Sequence, residues 1–384
     1  MSDITDAATF IRRPLGIRMP ETEVLRRLRN DRAPFALVGE WAGGGAVLGS
    51  EPTAWCDSVG SLFSALGKPA ELAGFRPETW RACSEGSENE SYAPGAHAPF
   101  GGGWVGWLGY GAAEAWQQTP PAPGEPRRLS LCSFAYYDHV LRADSGGEWF
   151  FEALVTAGRA AEIDERLVIL GQRMSDSTSQ RSASPPGTVP KTPLEHARVT
   201  LGELASLPAA ADHEAAVARC VELIARGDLL QANLCMRFEG VLEGDPLELF
   251  CEAIDRLHPP YAAFVARDEG AVVSLSPELF LRRLGRTVTS RPIKGTARRN
   301  NDPTEAGAQR RALESSAKDR AENVMIVDLV RNDLGRVCTT GSVRVTRLCV
   351  PEPHPGVWHL VSEVTGELCP PVGDAELIRA TFPP

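Results

Sequence analysis

The most informative segment of this chain reads KDRAENVMIVDLVRNDLGRV and occupies residues 318–337. Upstream of it, residues 302–305 read Asp-Pro-Thr-Glu, a capping box with proline at the first helical position. Together, the two features predict a helical region that begins after the capping aspartate and ends at Gly335. A break in this region is expected near the serine pair at 315–316.

Two carboxylates of this region, Asp319 and Glu322, are three positions apart and therefore share one helix face. Carboxylates held close together repel each other unless a cation lies between them, and Mg²⁺ is the natural hard divalent partner. Alternatively, Glu322 pairs with Lys318 on a solvated surface, where such a pair contributes only about 0.3 kcal/mol. The helix by itself leaves both interpretations open.

A third carboxylate of interest is Glu278, which lies directly after a proline turn in SLSPELF, residues 274–280. A buried carboxyl group in such an apolar stretch tends to have a raised pKa, which is what a general acid requires near neutrality. The alternative is a solvated loop carboxylate that accepts hydrogen bonds from backbone amides. Judged on the local sequence alone, this second interpretation is favoured.

A candidate nucleophile, Lys294, lies in RPIKGT, residues 291–296. Gly295 and Thr296 leave backbone and hydroxyl donors free for an anionic ligand. A lysine amine in a dry site can lose its proton and attack an electrophilic carbon. The alternative is an exposed lysine at a strand end before a turn, which the local sequence again favours.

Two predicted strands carry further polar candidates. His359 lies in the apolar segment 356–362, where a lone histidine is more often a satisfied core residue than a functional one. Residues 229–238, LLQANLCMRF, alternate in a way that predicts a buried strand with Gln231 on its polar face.

Composition restricts the class of protein. The 384 residues include 40 Lys and Arg against 50 Asp and Glu, and this net charge of −10 argues against a dominant nucleic-acid role. Nine scattered cysteines without a C-x-x-C pair indicate reduced thiols. With no signal-peptide pattern and no run of about 18 apolar residues, the sequence predicts a cytoplasmic protein.

The N-terminal section, up to about residue 172, contains short β-like runs separated by glycine and proline. These runs are FALVGEW (35–41), WVGWLGY (104–110), LCSFAYYDHVL (131–141) and EWFFEALV (148–155). Residues 174–190 are rich in Ser, Thr, Gln and Pro and predict an exposed linker. From about residue 191, predicted helices and strands alternate.

Taken in order, these motifs resemble the chorismate-utilising enzymes, the group that contains anthranilate, aminodeoxychorismate, isochorismate and salicylate synthases. The matching segments are PFGGGWVGWLGY (99–110), GDLLQANL (227–234), SLSPELF (274–280), RPIKGT (291–296), KDRAENVMIVDLVRNDLGRV (318–337), VWHLVSEVTGEL (357–368) and ATFPP (380–384). The resemblance implies an α+β fold in which two antiparallel sheets form a sandwich with helices packed outside. It also implies an N-terminal region at 1–172, a linker at 173–190 and a chorismate-binding catalytic region at 191–384.

Two positions indicate a branch of that family. Isochorismate and salicylate synthases have a water-activating lysine where this chain has Gln231, so ammonia is the expected nucleophile. Anthranilate synthases usually read Pro-Ile-Ala-Gly-Thr where this chain has Lys294. Pro-Ile-Lys-Gly-Thr is typical of component I of aminodeoxychorismate synthase, which makes 4-amino-4-deoxychorismate for 4-aminobenzoate and folate biosynthesis.

The resemblance also implies a role for each site residue. These roles are Lys294 as covalent nucleophile, Glu278 as general acid, Glu322 as Mg²⁺ ligand with Asp319 as helper, and Gly295, Thr296, His359 and Gln231 as substrate-binding residues. Ammonia is expected from a separate glutamine amidotransferase subunit. The alternatives are component I of anthranilate synthase and a truncated, non-catalytic binding relative.

The chain ends at Pro384, where relatives continue into further substrate-binding residues and a second metal-binding glutamate. On this basis the 384-residue chain alone is expected to bind chorismate poorly and to turn it over slowly or not at all.

Overall fold

A computed structural model describes residues 9–67, 100–117, 129–175 and 199–383. Its strands are β1 (Thr9–Arg18), β2 (Phe35–Gly39), β3 (Ala46–Gly49), β4 (Ala54–Cys56), β5 (Gly103–Leu108), β6 (Cys132–Tyr137), β7 (His139–Ala143), β8 (Glu148–Val155), β9 (Thr200–Leu201), β10 (Ala205–Leu207), β11 (Arg237–Glu239), β12 (Leu242–Glu243), β13 (Tyr261–Arg267), β14 (Gly270–Ser276), β15 (Leu279–Leu284), β16 (Thr287–Arg291), β17 (Ile293–Arg298), β18 (Arg344–His354) and β19 (Val357–Glu367). Its helices are α1 (Glu21–Leu28), α2 (Val59–Gly67), α3 (Ala160–Ser175), α4 (Ala210–Ala225), α5 (Pro246–Leu257), α6 (Pro303–Ser315), α7 (Ala317–Gly335) and α8 (Asp374–Thr381).

Two antiparallel sheets dominate the larger of two compact units, which draws on residues 1–185 and 253–384. The first has seven strands in the order β1-β8-β7-β3-β2-β13-β14. The second has the order β15-β16-β19-β17, with β18 also paired to β19. A three-stranded sheet, β4-β6-β5, completes this unit, and the predicted α+β class is confirmed.

The N-terminal section belongs to the same sheet as later strands, because β2 pairs directly with β13 in the register Phe35↔Val265. The four β-like runs of the sequence correspond to β2, β5, β6–β7 and β8. Phe35 and Val265 share a buried core with Val47 and Tyr137, which come from neighbouring strands of that section. The N-terminal section is thus part of the sandwich.

A second core holds the candidate helix against the five-stranded sheet. Val327 and Leu334 of α7 pack with Val288 of β16 and Val364 of β19. The expected helix break is confirmed, since Ser316 ends α6 and caps α7. Asp302 caps α6 by accepting hydrogen bonds from the backbone amides of Thr304 and Glu305, which is the N-cap half of the predicted capping box. The Glu305 side chain accepts from the side chain of Asn300 instead of from the Asp302 amide. Helix α7 is thereby fixed against β17 and β19.

The smaller unit covers residues 186–252 and contains α4 with the short strand pairs β10-β11 and β9-β12. The strand predicted over 229–238 is wrong. Residues 230–236 are irregular, Leu230 is 89% exposed, and only Arg237–Glu239 pairs, with β10. An alternating pattern makes a strand only where another strand satisfies its backbone groups, and no described strand pairs with 230–236.

The predicted linker at 173–190 lies mostly outside the described residues, and the predicted domain boundaries stay predictions. All eight cysteines in the described ranges are free thiols, as expected. Among the described helices, none is long and apolar enough to cross a membrane.

Candidate functional site

Strand β17 organises the site in the larger unit, because most of the predicted functional residues lie on it or contact it. Glu278, in the turn between β14 and β15, accepts a hydrogen bond through Oε1 from the backbone amide of Ile293 at 2.7 Å. Its side chain is exposed, so the structure has the loop carboxylate that binds a backbone amide. This bond places the carboxylate beside the residue that precedes Lys294.

Lys294 is half-buried, and its backbone lies between helix α7 and strand β19. The described ranges contain two lysines. Lys318 lies 3.9 Å from Glu322, whereas Lys294 has no ion-pair partner in the described part of the chain. No carboxylate of the described ranges therefore holds the Lys294 amine.

Gly295 is a point of close approach between β17 and α7. Its φ is +94°, and a Cβ at this position would lie 3.0 Å from Cβ of Asp319 and 3.1 Å from Cδ1 of Leu360. Both the backbone conformation and the available space therefore require glycine.

Replacing Gly295 with alanine is expected to lower the free energy of unfolding by about 3 kcal/mol, since backbone strain adds to steric overlap. Urea denaturation measures the loss. Gly285→Ala is the matched control, because Gly285 also has a positive φ of +61° but nothing within 4 Å of an added Cβ. That variant should lose only about 1 kcal/mol. Equal losses in the two variants would show that the contact with α7 is not tight.

His359 lies on β19 directly opposite Thr296, and its Nδ1 is 2.9 Å from the threonine Oγ1. Its ring packs edge-on against His354, with ring centroids 5.0 Å apart. Burial lowers the pKa of His359, and the neighbouring His354 lowers it further. The imidazole is consequently neutral at neutral pH and acts as a hydrogen-bonding group. His354 stood out in no sequence pattern, because its contact with His359 exists only through strand pairing.

Asp319 and Glu322 lie in the first turns of α7. The hydroxyl of Ser316 accepts a hydrogen bond from the Asp319 amide at 3.3 Å and donates one to its carboxylate. Glu322 is 39% exposed and has the predicted pairing with Lys318. Both interpretations of this carboxylate are therefore compatible with the structure.

These two carboxylates fit a magnesium ion only in part. No group of three or more His, Cys, Asp or Glu side chains within the described ranges could hold a metal. Mg²⁺ commonly takes one or two protein carboxylates and completes its octahedron with water and substrate oxygens. A pair on one helix face therefore suits Mg²⁺ that binds together with an anionic substrate.

Arg291 also contributes to this region although its role was not predicted. Its guanidinium donates to both carboxylate oxygens of Glu352 at 2.7 and 2.9 Å. It also lies 3.5 Å from Glu40, which follows β2 in the seven-stranded sheet. The largely buried Arg291–Glu352 pair thus joins two strands of the five-stranded sheet, and the contact with the exposed Glu40 links this sheet to the other, one residue before the Pro-Ile-Lys-Gly-Thr segment.

Gln231 is the one predicted site residue that lies in the smaller unit. It is exposed, in the irregular segment between α4 and β11. The larger unit brings the other predicted residues together around β17. These are Glu278, Lys294, Gly295, Thr296, Asp319, Glu322 and His359.

The family model of chorismate binding enzymes matches residues 46–384. The chain belongs to this family. Component 1 of aminodeoxychorismate synthase from Klebsiella aerogenes is 49% identical over 157 residues, which are 41% of this chain and 35% of that protein. The Salmonella typhimurium enzyme of the same name is 35% identical over 291 residues, 76% of this chain and 59% of that protein.

Component 1 of anthranilate synthase from Streptomyces coelicolor is 36% identical over 291 residues, covering 74% of this chain and 56% of that protein. Among solved structures, component I of anthranilate synthase from Streptococcus pneumoniae has a TM-score of 0.61 at 22% identity. That match covers 100% of this chain and 74% of the solved one. The menaquinone-specific isochorismate synthase of Escherichia coli has a TM-score of 0.62 at 14% identity, covering 99% and 75%. These solved structures share the fold of this chain. The chain spans less than two thirds of the length of each of the three curated relatives.

Proposed function

We propose that this chain is the chorismate-aminating component of an aminodeoxychorismate synthase. It converts chorismate and ammonia to 4-amino-4-deoxychorismate and water, on the route to 4-aminobenzoate and folate. A glutamine amidotransferase subunit supplies the ammonia. The observation that carries the proposal is Lys294, a half-buried amine to which no described residue supplies a carboxylate partner, on the strand that Glu278 binds at Ile293 and that packs against the carboxylate-bearing helix α7.

In the first step, the Lys294 nitrogen bonds to C2 of chorismate, the ring double bonds shift, and the C4–O bond breaks. Glu278 gives its proton to the departing hydroxyl, which leaves as water, and the lysine nitrogen loses one proton to solvent. In the second step ammonia bonds to C4, the double bonds shift back, and Lys294 leaves C2 and recovers its proton from solvent. The ammonium group formed at C4 gives one proton back to Glu278, which restores the general acid. The sum is replacement of hydroxyl by amine.

The remaining residues bind and orient the substrate. The hydroxyl of Thr296 and the neutral His359 form a hydrogen-bonded pair that can contact the C4 hydroxyl. Glu322, helped by Asp319, would hold Mg²⁺, which when bound supplies positive charge opposite the ring carboxylate. Positive charge there would favour binding of the doubly anionic substrate beside the two carboxylates.

The second candidate function is component I of anthranilate synthase, which the 36% identity to the Streptomyces coelicolor enzyme favours. In that reaction ammonia itself bonds to C2, and no enzyme amine is attached to the ring. The two functions therefore differ in whether a covalent intermediate forms.

Mass spectrometry of the quenched enzyme, prepared at the full length of its curated relatives, tests the proposal. The chain has four lysines, at 68, 191, 294 and 318, so peptides assign an adduct to one of them. With chorismate and Mg²⁺ but no ammonia, we expect Lys294 alone to gain the mass of chorismate less one water. The peptide with Lys318, which is 82% exposed, is the internal control for unspecific reaction. When ammonium is then added, formation of anthranilate without an adduct would reject the proposal in favour of the second function. Absence of both product and adduct with the amidotransferase present would reject both functions.

A further inference from the structure

A buried amide, Asn323, occupies the junction between α7 and the two strands that form the site. Its side chain is 1% exposed. The Nδ2 group donates to the carbonyl of Lys294 at 3.2 Å and to the carbonyl of Leu360 at 3.0 Å. On the other side, Oδ1 accepts from the hydroxyl of Ser362 and from the thiol of Cys349. The carboxamide therefore uses both donor hydrogens and its acceptor oxygen.

The two carbonyls that Asn323 binds belong to a β-bulge. Strands β17 and β19 pair regularly at Ile293↔Val361 and again at Thr296↔His359. Between these pairs, Lys294 and Gly295 on β17 lie opposite a single residue, Leu360, on β19. A bulge of this kind interrupts the ladder, bends the strand and redirects a side chain. Its carbonyls need donors from elsewhere, and Asn323 supplies them.

The bulge coincides with the proposed nucleophile, and Asn323 follows the proposed metal ligand Glu322 in sequence. One carboxamide thus connects the backbone of Lys294 to the helix turn that carries Glu322. Gly295, within the bulge, is also the residue that touches Asp319. The nucleophile and the metal-binding helix face are consequently fixed with respect to each other through two adjacent contacts.

We propose that Asn323 is a positioning residue, which holds the Lys294 bulge in the conformation that directs its amine toward the substrate carbon. The inference rests on the proposed function, because it needs Lys294 as the nucleophile. Without the two donors of Asn323, the bulge carbonyls lose their partners and the strand can relax toward a regular ladder. The amine would then leave the attack geometry, and displacements of about 1 Å can cost about 100-fold in rate.

A matched control separates positioning from stability. Ser362→Ala removes the hydroxyl that donates to Oδ1 and that accepts from the amide of Cys349 at 2.9 Å. This variant loses buried hydrogen bonds in the same cluster but leaves both bonds to the Lys294 and Leu360 carbonyls. It should therefore lower the unfolding midpoint in urea without disturbing the bulge.

The experiment compares Asn323→Ala, Asn323→Asp and Ser362→Ala with the unaltered chain. Aspartate keeps the size and the acceptor of asparagine but lacks its two donors. Each variant is mixed with chorismate and Mg²⁺ and quenched at set times, and mass spectrometry gives the rate of adduct formation on Lys294. The urea midpoint of each variant is also measured. We expect both Asn323 variants to form the adduct at least tenfold more slowly, and Ser362→Ala to stay within twofold at a similarly lowered midpoint.

Equal adduct rates in Asn323→Ala and Ser362→Ala at similar stability would overturn the inference and leave the proposed function intact. Absence of the adduct in the unaltered enzyme at the full length of its curated relatives would overturn the proposed function and this inference with it. Should the alanine and aspartate variants fail to fold, Asn323→Ser keeps a short donor in the same space. We then expect Asn323→Ser to form the adduct at least tenfold more slowly, and Ser362→Ala to stay within twofold of the unaltered rate. Equal rates in these two variants at similar stability would overturn the inference.

Discussion

Replacing Lys294 with alanine is expected to lower the rate of 4-amino-4-deoxychorismate formation about 1000-fold, equivalent to about 4 kcal/mol of transition-state stabilisation. The loss follows because no other amine is attached to this part of β17, so C2 of chorismate can no longer be occupied by the enzyme. Ammonia is then free to bond at C2 itself. We therefore also expect the product mixture to shift toward anthranilate-type chemistry.

Product analysis by chromatography, with ammonium and Mg²⁺ as the other reactants, measures both effects. Lys318→Ala is the matched control, because it removes the other described lysine, which is largely exposed and 3.9 Å from Glu322. An exposed pair at that distance contributes little, so this control should stay within twofold of the unaltered chain. An unchanged product ratio and rate in Lys294→Ala would contradict the covalent role of Lys294.

Much of the framework around this lysine could be predicted because the signals are local. The break between α6 and α7 follows from Ser316, whose hydroxyl accepts from the amide of Asp319, and the start of α6 follows from Asp302. Each cap involves residues within one turn of each other, so a short sequence contains the whole interaction. The β-like runs of the N-terminal section are similarly local, since apolar, β-branched and aromatic residues favour a buried strand.

The parts that could not be predicted depend on partners distant in sequence. Residues 229–238 have the alternation of a strand, but a strand also needs a neighbour, which no local pattern supplies. Asn323 directly precedes the apolar run 324–327 of a helix, and its hydrogen bond to the Lys294 carbonyl depends on a bulge 29 residues earlier in the chain. His354 likewise acquires its contact with His359 only when β18 pairs with β19. In each case the register of strand pairing determines the contact.

For Glu278 the local sequence favoured a loop carboxylate that binds a backbone amide, and the structure has that geometry. Its Oε1 accepts the amide hydrogen of Ile293, while Oε2 has no hydrogen bond to any described residue. This hydrogen bond fixes the carboxyl group at the residue that precedes Lys294 and leaves Oε2 without a hydrogen-bond partner among the described residues. Loop anchoring and general acid catalysis are therefore compatible in one side chain.

Replacing Glu278 with glutamine is accordingly expected to lower kcat about 1000-fold while leaving the fold unchanged. The amide oxygen of glutamine can still accept from Ile293, but its nitrogen cannot give a proton to the departing hydroxyl. Because bond formation at C2 and loss of the C4 hydroxyl occur in one step, adduct formation on Lys294 should slow by the same factor. A variant that accumulates the adduct at the normal rate would show that Glu278 acts later, on ammonia addition. Steady-state kinetics and quenched mass spectrometry measure the two rates, and Glu314→Gln, an exposed partner of Arg310 on α6, is the control expected to change neither.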